Sequence, residues 1–228
     1  QTHLEAKTAW YIFLLGLPVG LSIFFEVSIF AMIALLISSL GPTVVAGHQV
    51  ALNFTGLLFM IPLSLAIATT VRVGRGRGQG DIAAVRLAVK SAMLMTVVIG
   101  VVAGSLLFIL RHQVPWLYSN DSEVRAIASS LLLFAALYQL SDAWQVTVSG
   151  ALRGFEDTTV PMFITLLAYW GIGLPVGYTL ALTDLLLPAM GPEGFWIGLL
   201  SGLTAAALML SMRLSYRLKT FSATTAPR

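Results

Sequence analysis

Two carboxylates stand deep inside apolar stretches of this sequence, where an uncompensated charge is costly. Glu26 lies in "SIFFEVSIFAM", and no other charged residue occurs between Ala9 and Leu40. Asp142 lies in "LYQLSDAWQV", within a second long apolar stretch. A carboxylate in such surroundings needs a proton, a metal ion or a cationic group to neutralise it. The two acids therefore predict a site that binds and releases positive charge.

Further polar residues extend this candidate site along the stretches that carry the acids. One set recurs at three- and four-residue spacing, which is one face of a helix: Tyr138, Ser141, Asp142, Gln145 and Ser149. Ser22 precedes Glu26 by one helical turn, and Gln49 and Asn53 are one turn apart in another apolar stretch. Because polar groups that face lipid cost free energy, we expect Ser22, Gln49, Asn53 and Gln145 to be polar lining of a bundle interior.

The composition predicts an integral membrane protein. Of 228 residues, 57% are hydrophobic and only 10% are charged, whereas an ordinary soluble domain is about 25% charged. There is no cysteine, so neither a disulfide nor a thiolate metal site is available. The net charge of +3 is better explained by basic loops beside a membrane than by nucleic acid, and no nucleic-acid partner is expected.

Six stretches are long enough to cross a bilayer, since a helical span needs roughly 20 apolar residues. They are Trp10–Ser39, Val44–Val71, Ala84–Leu110, Val124–Gly150, Thr158–Leu182 and Glu193–Tyr216. None alternates polar and apolar residues as a barrel strand does. The predicted fold is therefore all-α, a polytopic membrane protein with six transmembrane helices. Short turn-rich segments such as "GRGRGQGD" are predicted to connect them.

The distribution of basic residues predicts that both termini are cytoplasmic. With the N-terminus inside, eleven Lys and Arg residues fall on the inner side: Lys7, Arg72, Arg75, Arg77, Arg86, Lys90, Arg153, Arg213, Arg217, Lys219 and Arg228. Only Arg111 and Arg125 fall outside, which is a strong positive-inside signal. Gln1 is not an initiator Met, so we expect the chain to be a piece of something longer.

Residues near the predicted span ends are expected at the membrane–water interface. Trp10, Trp116 and Trp196 have the positions of an aromatic belt, and His48 is expected to be interfacial rather than a proton relay. No Lys or Arg is expected at the depth of Glu26 and Asp142. Because burial and mutual repulsion both disfavour their charged forms, a proton, a metal cation or a cationic substrate must supply the neutralising charge.

Five segments resemble the multidrug and toxic compound extrusion (MATE) transporters, in the order in which that family has them. They are "LPVGLSIFFEVSIF", "VAGHQVALNFTGLLFMIPLSLA", "TVRVGRGRGQGD", "LYQLSDAWQV" and "GALRGFEDTT". The chain is most similar to the NorM-type branch of bacterial inner membranes, from about Trp10 to Tyr216. The resemblance implies an antiporter of twelve helices in two lobes, which exports cationic, often aromatic drugs by alternating access against Na⁺ or H⁺.

The resemblance covers only the C-terminal six-helix lobe, so residues 1–228 are expected to need an N-terminal lobe as partner. It implies that Glu26, Tyr138 and Asp142 form the cation-coupling site, with Na⁺ as one ion they could hold. No cofactor beyond the coupling ion is expected. Organic cations and membrane lipid are the other expected partners. The residues do not distinguish Na⁺ from H⁺, because the same carboxylates serve both.

Three other functional interpretations compete with the antiporter. A lipid-linked glycan flippase of the same superfamily usually has a cationic cavity that meets phosphate, whereas the deep charges here are acidic. An intramembrane aspartyl protease would carry a Gly-x-Gly-Asp sequence, which is absent, and a serine protease would need a histidine at mid-span. We therefore expect no enzymatic activity. A receptor or passive channel remains, and it differs from an antiporter in whether ion gradients drive substrate movement.

Overall fold

A computed structural model describes residues 6–185 and 187–225 and shows an all-α protein in that part of the chain. The helices are α1 (Ala6–Ser38), α2 (Pro42–Gly78), α3 (Ile82–Leu110), α4 (Ser122–Gly154), α5 (Thr159–Leu166), α6 (Leu174–Leu182) and α7 (Pro192–Thr225). A π-helical segment, Leu167–Gly173, joins α5 to α6, and a 3₁₀ turn, Val114–Leu117, precedes α4. Arg228, which entered the charge count, lies outside the described residues.

Six helical stretches are long and apolar enough to cross a membrane, and each overlaps one predicted span. The fifth consists of α5, the π-helical segment and α6, from Thr159 to Leu182. The predicted all-α, polytopic fold is therefore confirmed. The helices are mostly longer than the predicted spans: α2 begins at Pro42 and α7 continues to Thr225.

The glycine- and arginine-rich segment after the second span is not the loop that the sequence predicted. Helix α2 continues through it to Gly78, so that only residues 79–81 connect α2 to α3. Arg75 and Arg77 lie in the last turn of α2, where positive charge is favourable at a helix C-terminus. Gly76 faces Val85 on α3 at a spacing that leaves no room for a side chain. Tertiary packing thus outweighs the low helix propensity of glycine.

The helix starts follow local capping chemistry. The carboxylate of Asp81 accepts a hydrogen bond from the Ala84 amide at 2.9 Å, and Asp121 accepts one from Glu123 at 2.8 Å. Each satisfies one of the backbone donors that a helix leaves open at its N-terminus. Gly41 and Gly80 have φ values of 105° and 70°, a region that glycine enters without strain, and they turn the chain before α2 and α3.

Helix α4 is at the centre of the helix bundle and packs against α2, α3 and α7. Polar side chains join it to each of them: Thr70 on α2 donates to the Gly150 carbonyl at 2.7 Å, and Thr96 on α3 donates to Thr147 at 2.8 Å. The Trp144 indole donates to Ser211 on α7 at 2.9 Å. Helix α1 packs mainly against α5 and presents many large apolar side chains outward.

Small residues let the last two spans approach closely. Gly173 immediately precedes α6, and Gly177 lies within it. On α7, glycines recur at the same four-residue spacing, at Gly194, Gly198 and Gly202. A Cβ at Gly198 would collide with the Gly177 Cα and the Gly173 carbonyl oxygen. This is small-residue packing of the kind that holds membrane helices together in the absence of a hydrophobic driving force.

The loop after α4 is tied to two other helices by ion pairs. Asp157 is 7% exposed and pairs with Arg213 at 2.6 Å and Arg217 at 3.3 Å, both on α7. The neighbouring Glu156 is exposed and pairs with Arg77 of α2 at 2.7 Å. The hydrogen bond from Arg77 lowers the pKa of Glu156 below its usual 4.5. That pair therefore contributes at neutral pH, and its contribution is lost as the pH falls through the lowered pKa.

The glycine contact predicts that Gly198→Ala lowers the thermal stability of the purified protein. Overpacking a tight contact costs about 1–3 kcal/mol, and we expect the apparent unfolding temperature to fall by several degrees. The matched control is Gly16→Ala on α1, because a Cβ at Gly16 meets no atom within 4 Å. Equal unfolding temperatures for both variants would show that the Gly198 contact does not stabilise the packing of α6 against α7.

The ion pairs of the loop predict unequal costs for two adjacent neutralising substitutions. Asp157→Asn leaves two arginines without their buried carboxylate, and we expect a loss of about 1–3 kcal/mol. Glu156→Gln removes an exposed pair that contributes at most about 1 kcal/mol. Thermal unfolding of both variants at pH 7 measures the difference. A Glu156→Gln protein less stable than Asp157→Asn would contradict the burial seen here.

Candidate cation-binding cavity

One cavity of about 420 Å³ brings both deep acids together, as the sequence predicted for neighbouring helices. Its wall is mostly apolar and comes from α1, α2, α4 and α7. Its lining includes the polar residues Glu26, Thr55, Tyr138, Asp142 and Arg153, together with the indole of Trp196. The three residues expected to form the coupling site, Glu26, Tyr138 and Asp142, therefore face a common space.

Asp142 is the most enclosed of these polar residues. It is 3% exposed, and its Oδ1 atom is buried with no hydrogen-bond partner among the described residues. Tyr138 lies one turn earlier on α4, is 6% exposed and is close enough to interact with Asp142. Glu26 is half-buried on α1 and lies within electrostatic range of both. Asp142 lines the cavity, and a buried carboxylate oxygen without a partner is the kind of atom that a cation or a proton satisfies.

Arg153 corrects the expectation that no basic residue lies near the acids. It was assigned to a loop on the inner side, but it lies in the last turn of α4 and lines the cavity together with Glu26. The spacing of the polar face contained the signal, because Arg153 follows Ser149 by four residues just as Ser149 follows Gln145. The charged lining is therefore two acids and one base.

A second, much smaller cavity of about 20 Å³ also borders Glu26. Its polar lining is Ser22, Glu26, Gln145, Ser149, Arg153, Thr158 and Thr165. Ser22 and Gln145, two of the candidate lining residues, are thus beside Glu26. Ser22 donates to the Pro18 carbonyl at 2.9 Å, whereas the Gln145 Oε1 is buried without a partner in the described part of the chain. A volume of this size holds about one water molecule.

Gln49 and Asn53 lie elsewhere. Both are exposed and line a separate depression on α2, with Tyr118 at its edge, that shares only Leu52 and Gly56 with the cavity of the acids. The Asn53 amide donates to the Gln49 carbonyl of the preceding turn at 2.9 Å. As the lobe stands, neither side chain reaches the space in front of Glu26.

His48 and Trp196 are buried within the protein, contrary to the prediction that they face the membrane–water interface. His48 is 0% exposed and Trp196 is 1% exposed. The Trp196 indole donates to Nδ1 of His48 at 3.2 Å, and its ring packs edge-on against Tyr138. The position of a residue near the start of a span does not reveal whether its side chain faces the interface or packs against another helix. Trp196 also lines the cavity that contains the acids.

Tyr169 is a polar residue near the site that the sequence did not single out. It lies in the π-helical segment, is 0% exposed and packs in one apolar cluster with Tyr138 and Ile29. Its hydroxyl is within electrostatic range of Glu26 and satisfies no hydrogen bond among the described residues. The adjacent Trp170 donates to the Phe25 carbonyl at 3.2 Å and so joins this segment to α1 beside Glu26. π-Helical segments are rare and often occur at functional sites.

The donor set suits a proton or a weakly held monovalent cation better than a tightly bound transition metal. Within residues 6–185 and 187–225, no three His, Asp or Glu side chains come together as a metal cluster. Two carboxylates, a phenol and a threonine hydroxyl offer hard oxygen ligands, which soft or borderline metals do not prefer.

Six apolar helices with a cavity that carries charged side chains define a polytopic membrane protein with the architecture of a membrane transporter. The family model described as MatE matches residues 18–179, which is more than half of the chain. This chain belongs to the MatE family. The six apolar helices and the bacterial relatives described below fit a multi-pass protein of a bacterial inner membrane.

Named relatives agree with the family match. Over 221 residues the chain is 48% identical to "Multidrug resistance protein MdtK" of Photorhabdus laumondii. This alignment covers 95% of this chain and 48% of that protein. It is 52% identical over 204 residues to "Probable multidrug resistance protein NorM" of Shewanella oneidensis, covering 89% and 44%. The crystal structure of the eukaryotic MATE transporter AtDTX14 superposes with a TM-score of 0.87 at 25% identity, over 99% of this chain and 51% of that one.

The chain spans about half the length of these relatives. The structural match likewise covers half of a solved MATE transporter. The chain therefore corresponds to one lobe of such a transporter, and the predicted family is confirmed.

The cavity predicts which introduced thiols react with a polar reagent. The chain has no cysteine, so a single introduced cysteine is the one thiol within these 228 residues. Thr55→Cys places a thiol on the cavity wall, and we expect a small methanethiosulfonate to modify it in membranes containing the protein.

Thr69→Cys is the matched control for this labelling. Thr69 lies on the same helix, is 4% exposed and donates to a carbonyl of its own helix as Thr55 does, but it does not line the cavity. Thr55 is also buried, at 7% exposed, but only Thr55 borders space that the reagent can enter. We therefore expect labelling of Thr69→Cys to be at least about tenfold slower. Equal labelling rates at the two positions would mean that the cavity gives the reagent no better access to position 55 than to position 69.

Proposed function

We propose that this chain is the C-terminal lobe of a cation-coupled antiporter that exports cationic, often aromatic drugs and other toxic organic compounds by alternating access. The observation that carries the proposal is the shared cavity of Glu26, Tyr138 and Asp142, in which a buried carboxylate oxygen has no partner. The names of the bacterial relatives, which are multidrug resistance proteins, support the same class of activity.

The proposed coupling rests on the cost of leaving the acids charged and unoccupied. When no cation is bound, the Asp142 carboxylate is poorly solvated, and conformations that admit water are favoured. A proton or Na⁺ at Glu26, Tyr138 and Asp142 neutralises the site and removes that preference. Because a ligand shifts a conformational equilibrium only by its differential affinity for the two states, the bound ion and the cationic drug favour opposite states and are exchanged.

The apolar part of the cavity fits the proposed substrates. Phe30, Phe59 and Trp196 line the same space as the acids. Flat organic cations bind to aromatic faces and to carboxylates, so that one cavity offers both kinds of contact. The N-terminal lobe would supply the opposite wall, and it is the proposed partner of the exposed apolar faces of α1 and α2.

The rival function, export of a lipid-linked glycan, is less compatible with the charges. Arg153 could meet a phosphate, but it lines the cavity together with two acids. A phosphate would therefore approach a lining that is on balance acidic, and its own negative charge would oppose binding.

The proposed coupling site predicts that Glu26→Gln and Asp142→Asn in the complete transporter each abolish ion-driven dye efflux. Each change keeps the side-chain size and removes the group that takes up the cation. Efflux of a fluorescent cationic dye from everted vesicles, normalised to the amount of protein in the membrane, is the measurement. We expect at least about a hundredfold loss of the initial rate, since the coupling step itself is removed.

Glu123→Gln is the control, because Glu123 lies on the same helix α4 but is exposed and far from the cavity. Its efflux should equal that of the unsubstituted protein. If Glu26→Gln and Asp142→Asn also transported at the unsubstituted rate, the proposed mechanism would be wrong.

Imposed gradients separate the two coupling ions and exclude a passive channel. In proteoliposomes, a Na⁺ gradient at constant pH and a proton gradient without Na⁺ are applied one at a time. An antiporter accumulates dye against its concentration gradient with one or both of them. Dye that only equilibrates under either gradient would favour the channel.

A further inference from the structure

The guanidinium of Arg153 is a cation without a bound partner. In residues 6–185 and 187–225, three ion pairs form within 4 Å, and their basic members are Arg77, Arg213 and Arg217. The Arg153 side chain takes part in none of them and donates no hydrogen bond in the same part of the chain. It is half-buried at the end of α4, where an unpaired charge is costly.

The carboxylate that Arg153 faces is Glu26. These are the two charged residues that line both the large and the small cavity, and each lies within electrostatic range of the other. They form no ion pair within 4 Å. The two side chains therefore share a cavity wall as an open pair, with space between them that a small cation or water can enter.

The polar face of α4 fixes the order of these groups along the helix. Asp142, Gln145, Ser149 and Arg153 succeed one another at three- and four-residue spacing, and eleven residues correspond to about 16 Å along an α-helix. Glu26 shares the large cavity with Asp142 and the small one with Gln145 and Ser149. Glu26 therefore shares a cavity with each of these four groups, and it shares both cavities with Arg153.

We propose that Arg153 is a tethered counter-cation of Glu26, and that the coupling cation must compete with the charge of Arg153 in order to bind. This inference rests on the proposed function, in which Glu26 takes up the coupling ion. When the site is empty, the charge of Arg153 offsets part of the charge of Glu26. When Na⁺ or a proton binds, Arg153 repels it. Arg153 thereby lowers the affinity of the site for the cation and aids its release.

The inference predicts a change in affinity rather than a loss of the site. In Arg153→Gln, the concentration of coupling cation that half-saturates the site should fall about tenfold, which corresponds to about 1.4 kcal/mol. The other groups that face Glu26, namely Asp142 and Tyr138 from α4 and Tyr169 from the π-helical segment, are unchanged in this variant. The shift is therefore attributable to the removed charge.

The experiment measures how the coupling cation releases a bound dye from the purified complete transporter. Ethidium is bound first, and its fluorescence is followed during titration with NaCl at constant pH and, separately, with acid at constant NaCl. The midpoint for whichever cation releases dye from the unsubstituted protein is compared among variants. Arg153→Lys retains the charge and should have a midpoint within about threefold of the unsubstituted value, so it separates charge from structure.

Arg125→Gln is the matched control. Arg125 is a half-buried arginine of the same helix, but it lies at the other end of α4 and stacks over Trp116 at 3.5 Å. We expect no shift of the midpoint. A shift as large as that of Arg153→Gln would mean that any arginine of α4 has the effect, and the inference would be wrong.

Each outcome decides between the inference and the proposed function. An unchanged midpoint in Arg153→Gln overturns the inference alone, provided that Glu26→Gln and Asp142→Asn abolish efflux. Unsubstituted efflux from those two variants instead overturns the proposed function. Should Arg153→Gln fail to accumulate, an uncompensated Glu26 must be the cause, and Glu26→Gln in the same chain should restore accumulation; a double variant that stays absent contradicts the counter-cation.

Discussion

The cost of burying the Asp142 carboxylate is the constraint around which this lobe is built. Helix α4 is the most enclosed helix of the lobe, and several of its polar side chains have a hydrogen-bond partner on a neighbouring helix, as Thr147 has in Thr96 and Trp144 has in Ser211. Others do not: Asp142, Gln145 and Gln139 each keep a buried atom without a partner among the described residues. Unsatisfied buried groups in a native protein call for an explanation, and a cavity that can admit a cation provides one.

The two acids are held by parts of the lobe that differ in how firmly they are packed. Asp142 lies on α4, which is fixed by α2, α3 and α7, whereas Glu26 lies on α1, which packs mainly against α5. The bond from Trp170 to the Phe25 carbonyl and the apolar cluster of Ile29, Tyr138 and Tyr169 are what set the position of Glu26. A cation shared by the two carboxylates would therefore act between a firmly held helix and a more lightly held one. That asymmetry is what the proposed exchange of states requires.

Features of the fold and of the candidate site could be predicted from the sequence where they depend on residues within one helix. The six spans follow from apolar length alone, and the polar face of α4 follows from helical spacing, so both were predictable. The α2 extension to Gly78 was not, because Gly76 is stabilised by contact with Val85 on another helix. The burial of His48 and Trp196 depends on each other's position, and the separation of Gln49 from Glu26 depends on how α2 is rotated. Such properties arise only when helices pack, and no pattern within one helix contains them.

The presence of Arg153 changes what the pair of acids can do. Two uncompensated carboxylates in one apolar cavity would repel each other and hold a cation so strongly that its release would be slow, which is unsuitable for a cycle of binding and release. One arginine in the same lining offsets part of that charge without closing onto it, since no ion pair forms within 4 Å. A permanently formed salt bridge would have occupied Glu26 and left no need for a mobile cation. An open arrangement of two acids and one base lies between these extremes, and an exchanger needs that intermediate affinity because it must bind and release its ion in every cycle.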